Sequence, residues 1–471
     1  MVFSSLVFMC IFFPAVLILY HLCPFLKGKN AILLVASLAF YAWGEPKWII
    51  LMLITTLVDF IAGVVIGKAK GKGAKKTALV LSVVVTLGFL VVFKYLNFFT
   101  SNLNAVLPFD FPETNLTLPI GISFYTFQAL SYVVDVYRGD VDYQKNYGKL
   151  LLYVSMFPQL IAGPIVRYVD VANEIEDRHV SLPDFSDGIT RFLVGLTKKA
   201  VLANFVGSLA ENYLSGNTET LTLLGSWIGI IAYFFQIYFD FSGYSDMAIG
   251  IGRMLGFRFR ENFNYPYTAL SITDFWRRWH MSLSGFFRDY VYIPLGGNRR
   301  FQLRNMLVVW LLTGFWHGAS WNFVLWGLYY FLMLALEKYV YGKLLQKLPK
   351  IIRLIYSLFI VIIGWVFFYF EDLTSIKDML GTMFGVGDYA LYTAGDLTTL
   401  TNNVFLLAVC VIAVTPLLKN IADKAKSKLL ATPNGVIVNG IGTLAFQAAV
   451  LLLCSACLVG STYNPFLYFR F

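Results

Sequence analysis

The stretch LLTGFWHGASWNFVLWG, residues 311–327, is apolar enough for a membrane helix and yet contains His317. It lies within the apolar run 306–336, which as a single helix would be about 46 Å long at 1.5 Å per residue. The hydrocarbon core of a bilayer is only roughly 30 Å thick. The run is therefore predicted to break or tilt strongly, and Gly314 and Gly318 mark the expected place. We expect His317 to lie at a discontinuity between two half-spans, near mid-membrane and beside a cavity.

The composition of the whole chain indicates a polytopic membrane protein of the all-α class. Of its 471 residues, 58% are hydrophobic and only 14% are charged, whereas soluble proteins average about a quarter charged residues. The first apolar run, 3–20, lacks the basic flank of a signal peptide, so we expect a retained span. Further runs long enough to cross a bilayer are 48–67, 77–99, 351–370 and 439–460.

Charged residues alternate between loops in a way that predicts topology. The net charge is +10, and a membrane protein concentrates Lys and Arg in its cytoplasmic loops. The basic segments are 68–76, 338–353 and 419–428, while 100–118 has no basic residue and 371–402 is mainly acidic. We expect the basic loops in the cytoplasm and both termini outside it. The positive charge then favours acidic lipid or an anionic donor as a partner, with no nucleic acid.

Polar residues inside the apolar runs separate a simple N-terminal part from a complex centre. Asp59 and Lys94 are costly within spans and should face protein, water or each other, most simply as contacts that fix packing. In the centre, 118–140 is interrupted by Gly121, Gln128 and Asp135. Segments 157–167 and 271–300 are too broken or too charged to span, which predicts re-entrant pieces around a watery cavity.

His317 is the first candidate for chemistry. A neutral imidazole in a poorly solvated cavity is suited to accept a proton from a hydroxyl or thiol group. The alternative is a histidine that is hydrogen-bonded to a neighbouring helix for packing. The four histidines have no carboxylate or thiol partners at ligand spacing, and Cys454 and Cys457 are better explained as small helix-packing residues, so no metal site is expected.

His280 is the second candidate, in the segment WRRWH. If that segment is helical, His280 shares a face with Trp276 and Arg277. Arg277 and Arg278 have the geometry to hold a phosphate. The alternative is a basic and aromatic belt at the membrane interface.

A third group of polar residues lies in the apolar region 236–267. Acidic residues inside a membrane are functional candidates by default, which singles out Asp240 and Asp246. The full set of candidate substrate-binding residues is Trp276, Arg277, Arg278, Asp240, Ser242, Tyr244, Asp246, Trp316 and Asn322.

Several long motifs, in order, resemble the membrane-bound O-acyltransferase family and most of all its bacterial alginate O-acetyltransferase branch. They are MVFSSLVF, LPIGISFYTFQALSYVVDVYRG, FPQLIAGPIVR, FDFSGYSDMAIGIGRMLGF, NFNYPY, DFWRRWHMSLSGFFRDYVYIPLGGNR, LLTGFWHGASWNFVLWG and NPFLYFRF. The resemblance implies a single domain over 1–471, with N-terminal spans in 1–117, a catalytic core in 118–340 and C-terminal spans in 341–471. It implies about 11 transmembrane helices, with re-entrant helices around a central tunnel.

The resemblance also implies a reaction and its participants. His317 would be the essential catalytic histidine and His280 the second polar residue of the site. An acyl group would pass from cytosolic acetyl-CoA, a co-substrate and not a bound cofactor, to a hydroxyl of an extracytoplasmic polysaccharide. The transfer would be direct or through a secreted partner of the SGNH type. The protein would reside in a bacterial cytoplasmic membrane.

Two other functions compete with this one. D-alanylation of teichoic acid uses a carrier-protein thioester and shares the histidine motif. A membrane transporter would also contain broken helices and intramembrane acids such as Asp59, Asp240 and Asp246. No inverted repeat is visible, and the polar density is confined to one block, 236–320, which favours the enzyme.

Overall fold

The computed structural model describes residues 2–160, 163–216, 221–460, 464 and 467, and within these ranges its regular structure is entirely helical. The predicted all-α class is therefore confirmed. Eight helices are long and apolar enough to cross a membrane, and Phe8–Leu22 is a shorter apolar helix. The eight are Ile49–Lys68, Lys72–Asn104, Leu182–Leu214, Leu223–Met254, Trp321–Lys347, Lys350–Tyr369, Ala394–Ala413 and Gly435–Val459. The expected total of about 11 spans remains a prediction.

The chain forms two compact units. The first contains residues 1–192 and 244–260, and the second contains 193–243 and 261–471. Two helices, Leu182–Thr197 and Leu223–Met254, pass from one unit into the other. This division does not follow the three consecutive parts expected from the sequence, and whether the chain works as one domain stays a prediction.

The first unit is built from spans and shorter helices of the N-terminal part. Its polar residues within spans have partners in the protein, as predicted. Asp59 is fully buried and accepts hydrogen bonds from Ser82 and Thr86, and the Lys94 ammonium lies 3.4 Å from Ser123 Oγ. The α-helices are Phe13–Leu22, Leu26–Gly44, Ile49–Lys68, Lys72–Leu90, Leu96–Asn104, Ile122–Arg138, Tyr147–Ser155, Phe157–Leu160 and Tyr168–Glu176, with π-helical turns at Phe8–Phe12 and Val91–Tyr95.

The interruption expected within 118–140 is confined to its ends. Gly121 and Gly139 have φ values of 77° and 81°, which suit glycine, and they flank the continuous helix Ile122–Arg138. Gln128 and Asp135 do not break this helix, because both side chains are buried within the unit instead of facing lipid.

The second unit contains the aromatic core and both histidine motifs. Its short helices Ile272–Arg278 and Met281–Phe287 have seven residues each, which agrees with a segment too short to span. Its remaining α-helices are Asn204–Leu214, Gln302–His317, Trp321–Leu336, Gly342–Lys347, Lys350–Tyr369, Leu373–Met383, Ala394–Ala413, Leu417–Leu430 and Gly435–Val459, with π-helical turns at Lys198–Ala203, Arg288–Tyr292 and Glu337–Tyr341.

The long apolar run breaks where the sequence predicted, but the two halves form a hairpin. One helix ends at His317 and the next begins at Trp321. A Cβ at Gly314 would lie 2.3 Å from the Phe323 carbonyl oxygen, and one at Gly327 would lie 2.5 Å from the Trp310 carbonyl oxygen. Residue 314 lies against residue 323, whereas the earlier residue 310 lies against the later residue 327, so the two helices run antiparallel. The sequence predicted the break but not the hairpin, in which the glycines let the two backbones pack face to face.

Candidate active site

His317 is the last residue of the first hairpin helix and faces a small cavity of the second unit. Its side chain is only 8% exposed. The helix stops there because the next residue, Gly318, is extended with φ of −165°, so the chain turns away directly after His317. The predicted break therefore places the histidine beside a cavity, as expected.

Aromatic side chains form most of the cavity wall. The ring centroids of Trp326 and Phe368 lie 5.0 and 4.9 Å from that of His317, both edge to face. Phe241, Trp279 and Trp365 complete the aromatic lining, with Ile237 as an aliphatic neighbour. The space open to the centre of a water molecule is ≈ 20 Å³, which is room for about one water. A reacting group here would be largely shielded from solvent.

A buried ion pair forms the polar side of the same cavity. Asp240 lines it, and the Asp240 carboxylate lies 2.6 Å from the Lys199 ammonium. The two side chains are 1% and 3% exposed. The other carboxylate oxygen accepts a hydrogen bond of 3.0 Å from the backbone amide of Leu467, whose side chain also lines the cavity. Full pairing is what makes such deep burial of a carboxylate tolerable.

His280 lies in the same unit but outside the residues that line this cavity. Its Nδ1 is 3.1 Å from Asn262 Oδ1, an oxygen that also accepts from the Ser282 amide and hydroxyl. An oxygen acceptor requires the proton on Nδ1, so the neutral ring has a lone pair on Nε2. Nε2 is buried and has no hydrogen-bond partner among the described residues. Burial lowers the pKa of His280, which lies outside the candidate spans, to about 3.

The predicted shared helical face of His280 with Trp276 and Arg277 is wrong. The helix ends at Arg278, and His280 adopts a left-handed backbone with φ of 44°. This turn points the imidazole into the core, against the rings of Phe241 and Trp316 at centroid distances of 4.7 and 5.7 Å. Trp316 therefore lies between the two histidines in the chain of ring contacts, 4.8 Å from His317.

The other residues of the WRRWH motif have different environments, and Trp279 is the one that lines the cavity. Trp276 packs edge to face against Trp310 and Tyr330, as part of the aromatic core. Arg277 is exposed, whereas Arg278 pairs with Asp274 at 2.8 Å on its own helix. Arg277 is thus the more available of the two arginines for an anionic ligand.

Four other predicted residues lie away from the cavity lining. Ser242 is fully buried in the second unit, and Asn322 donates to the Phe367 carbonyl at 3.1 Å, next to cavity residue Phe368. Tyr244 and Asp246 belong to the first unit. There Tyr244 stacks on Phe3 and Asp246 pairs with Arg191 at 2.7 Å. Both contacts are those of packing residues.

Sequence reasoning missed several residues of the cavity. Lys199 lies in an apolar stretch that belongs to the candidate span Leu182–Leu214, and its charge there was a signal of the same kind as Asp59 and Lys94. Trp365, Phe368 and Leu467 gave no signal, because apolar residues are ordinary in this sequence and only the fold brings them to His317.

Comparison with known proteins places this site in a class. The family model of MBOAT, the membrane-bound O-acyltransferase family, matches residues 142–370, which include both histidine motifs. The chain is 41% identical to a probable alginate O-acetylase of Azotobacter vinelandii over 100% of both chains. It is 32% identical to a peptidoglycan O-acetyltransferase of Helicobacter pylori, over 93% of this chain and 91% of that protein. A teichoic acid D-alanyltransferase of Bacillus subtilis is 30% identical, over 48% of this chain and 60% of that protein.

The chain belongs to the membrane-bound O-acyltransferase family, and the resemblance seen in the sequence is confirmed. It is a membrane acyltransferase, which removes the transporter from consideration. Its relatives include bacterial enzymes named for the O-acetylation of polysaccharides.

Proposed function

We propose that this enzyme transfers an acetyl group from acetyl-CoA to a hydroxyl of an extracytoplasmic polysaccharide, with His317 as general base. The observation that supports it best is the position of His317 at a helix end, facing a cavity walled by Trp326 and Phe368. A general base has to be unprotonated to accept a proton, and the aromatic wall shields the His317 ring from bulk water.

The reaction balances with this single base. His317 removes the proton of the acceptor hydroxyl while its oxygen attacks the thioester carbonyl carbon. The carbon–oxygen bond forms and the carbon–sulfur bond breaks. The proton held by the imidazolium then passes to the leaving thiolate, which departs as coenzyme A. No further co-reactant is required.

The cavity has to widen for this chemistry. Room for about one water does not hold a thioester together with a sugar hydroxyl. Side chains of the wall would therefore have to shift when substrate enters. A wall that closes behind small substrates excludes water, which otherwise hydrolyses the thioester.

His280 suits an orienting role in this proposal. With its proton on Nδ1 directed at Asn262, its Nε2 accepts a hydrogen bond and does not donate one. Stabilising an oxyanion requires a donor, so the alternative role at the thioester carbonyl fits this tautomer less well. Through its contact with Trp316, His280 would instead hold the end of the helix that carries His317.

The donor and acceptor would approach from opposite sides of the membrane. The basic loops 68–76, 338–353 and 419–428 would face the cytoplasm and attract the phosphates of acetyl-CoA, with Arg277 as an exposed candidate ligand. The acceptor, or an SGNH-type partner that completes the transfer, would be extracytoplasmic, as would both termini. Cysteines placed in these loops, labelled with an impermeant thiol reagent on intact cells, test this topology.

The decisive experiment uses the full chain reconstituted in lipid nanodiscs. Acetyl-labelled coenzyme A is supplied with alginate oligosaccharides or with peptidoglycan fragments, and labelled ester is measured in each. We expect ester formation by the wild type and its loss in His317→Ala, at equal protein abundance. His179→Ala is the control, because that ring is exposed in the first unit. Wild-type ester formation that persists in His317→Ala would contradict the assignment of the base.

A D-alanyl transferase is the alternative within the family. The D-alanyltransferase relative aligns with less than half of this chain, whereas the alginate O-acetylase relative aligns with all of it. This difference favours acetylation. Transfer from a D-alanyl carrier protein to lipoteichoic acid, with no turnover of acetyl-CoA, would reverse the preference.

A further inference from the structure

Leu467 contributes both its backbone amide and its side chain to the region around the His317 cavity. The Leu467 amide donates to Asp240 Oδ2 at 3.0 Å, and the Asn204 side-chain amide lies 3.3 Å from Asn464 Oδ1. The Leu467 side chain, 5% exposed, lines the same cavity as His317. A side chain at position 467 thus joins a wall whose other residues lie between positions 237 and 368.

The Asp240 carboxylate, which accepts the hydrogen bond from Leu467, is itself paired with a buried ammonium group. Lys199, on the π-helical turn Lys198–Ala203, lies 2.6 Å from Asp240 Oδ1 and leaves Oδ2 for the Leu467 amide. A charged acceptor makes a stronger hydrogen bond than a neutral one, and the low dielectric of the site strengthens it further. The pair therefore fixes the backbone of residue 467 in a way that an apolar contact does not.

Leu467 can be replaced by a smaller residue with less disturbance of the core than the tryptophans of the cavity wall. Trp279, Trp326 and Trp365 are large rings packed against one another and against Phe368. Their positions are set by the core. Leu467 and Ile237 are the aliphatic members of the lining, and among the described residues the Leu467 backbone amide is bonded to Asp240. Shortening Leu467 would therefore enlarge the space beside His317 without removing a ring of the aromatic core.

We propose that Leu467, positioned by the Asp240–Lys199 pair, sets the upper limit on the size of the acyl group that reacts at His317. This inference rests on the proposed acetyl transfer and names the residue that restricts the donor to a short acyl chain. A missing or additional methylene in an apolar pocket changes selectivity by about 10–200-fold. Shortening Leu467 should therefore admit acyl groups one or two carbons longer than acetyl.

The test compares acetyl-, propionyl- and butyryl-CoA as donors for the nanodisc-reconstituted protein, with the oligosaccharide that the wild type esterifies as acceptor and with release of free coenzyme A as the readout. We expect the propionyl-to-acetyl ratio of kcat/KM to rise in the order wild type, Leu467→Val, Leu467→Ala, by about tenfold at the end of the series. Leu214→Ala is the matched control, because Leu214 is equally buried in the same core but does not line the cavity. Its ratio should equal that of the wild type.

The role of the ion pair is tested by removing both charges together. In the double variant Lys199→Met with Asp240→Ala no unpaired charge remains buried, and the Leu467 amide has lost its acceptor. We expect the same shift towards propionyl as in Leu467→Ala. A ratio that stays at the wild-type value in the Leu467 series or in the double variant overturns this inference alone. Wild-type protein that releases no coenzyme A from any donor overturns the proposed function and this inference with it.

Discussion

The two buried histidines of the second unit differ in what surrounds their rings. His317 ends a helix and faces a cavity that also contains a carboxylate, whereas His280 sits in a left-handed turn and hydrogen-bonds Asn262. They are similarly buried, at 8% and 1% exposure, and similarly rich in aromatic neighbours. Burial and motif density therefore do not distinguish the histidine proposed as the base from the one proposed to orient it. The distinction comes from access to a cavity.

The first prediction from this comparison is that a small molecule can replace the missing side chain in an alanine variant of His317 but not in one of His280. Removing a general base costs about 10²–10⁴ in rate, so His317→Ala should lose acetyl transfer by that factor. Added imidazole should restore part of this rate, because the deletion enlarges an existing cavity. The His280→Ala protein, measured in the same nanodisc assay, should not respond to imidazole. Equal rescue of both variants would mean that the two sites are equally accessible.

A second prediction concerns the hairpin that presents His317. In Gly314→Ala the new methyl group would meet the Phe323 carbonyl oxygen at 2.3 Å, so the helices must separate. Overpacking of this kind costs about 1–3 kcal/mol, which should lower the thermal midpoint in detergent and the transfer rate together. Gly440→Ala is the control, since a Cβ there has no atom within 4 Å. A Gly314→Ala protein as stable as this control would show that the close approach is unimportant.

A third prediction concerns the bonds that orient His280. Asn262→Ala removes the acceptor shared by His280 and by the amide and hydroxyl of Ser282. Leaving buried donors unsatisfied costs about 1–3 kcal/mol, so the thermal midpoint should fall. Asn264→Ala is the control, because Asn264 is exposed and bonds Arg278 through its backbone. Equal midpoints for the two variants would contradict the role given to Asn262.

The smallest expected effect is a pH dependence of stability that comes from His280. Its folded pKa of about 3 lies below the ordinary value of 6.5, so between these values the unfolded chain binds a proton that the folded chain does not. Stability is therefore fully present above pH 6.5 and falls as the pH drops, by about 1 kcal/mol between pH 6.5 and 5.5.

The measurement is the thermal midpoint at both pH values in wild type, His280→Gln and His179→Gln. The slope should be reduced in His280→Gln and unchanged in His179→Gln, because the His179 ring is exposed in the folded chain. A wild-type slope that survives in His280→Gln would assign the effect to another group.

Sequence reasoning reached the features that depend on length and composition. The break beside His317 was predicted because a run of 31 residues exceeds the thickness of a bilayer. Asp59 was predicted to face protein because lipid does not solvate a carboxylate, and its partners are Ser82 and Thr86. The hairpin was not predicted, because the residue types in 306–336 do not indicate whether Gly314 packs against Phe323 or against another helix.

The site shows the same limit. The left-handed backbone of His280 directs its side chain away from the helical face of Trp276 and Arg277, and no residue type in WRRWH predicts that turn. Of the acidic candidates, Asp240 lines the cavity while Asp246 belongs to the other unit and pairs with Arg191. The two residues are six positions apart, so spacing alone offered no basis for choosing between them.

By itself the sequence determined a helical membrane protein, the family to which it belongs and the two histidine motifs. Hydrophobic length and the cost of charge in lipid are local properties that can be read residue by residue. Only the tertiary structure decided that Lys199, Asp240 and Leu467 meet at the cavity of His317. The contact between Leu467 and Asp240 joins positions 227 residues apart, and packing, not pattern, selects among the many pairings that an apolar chain allows.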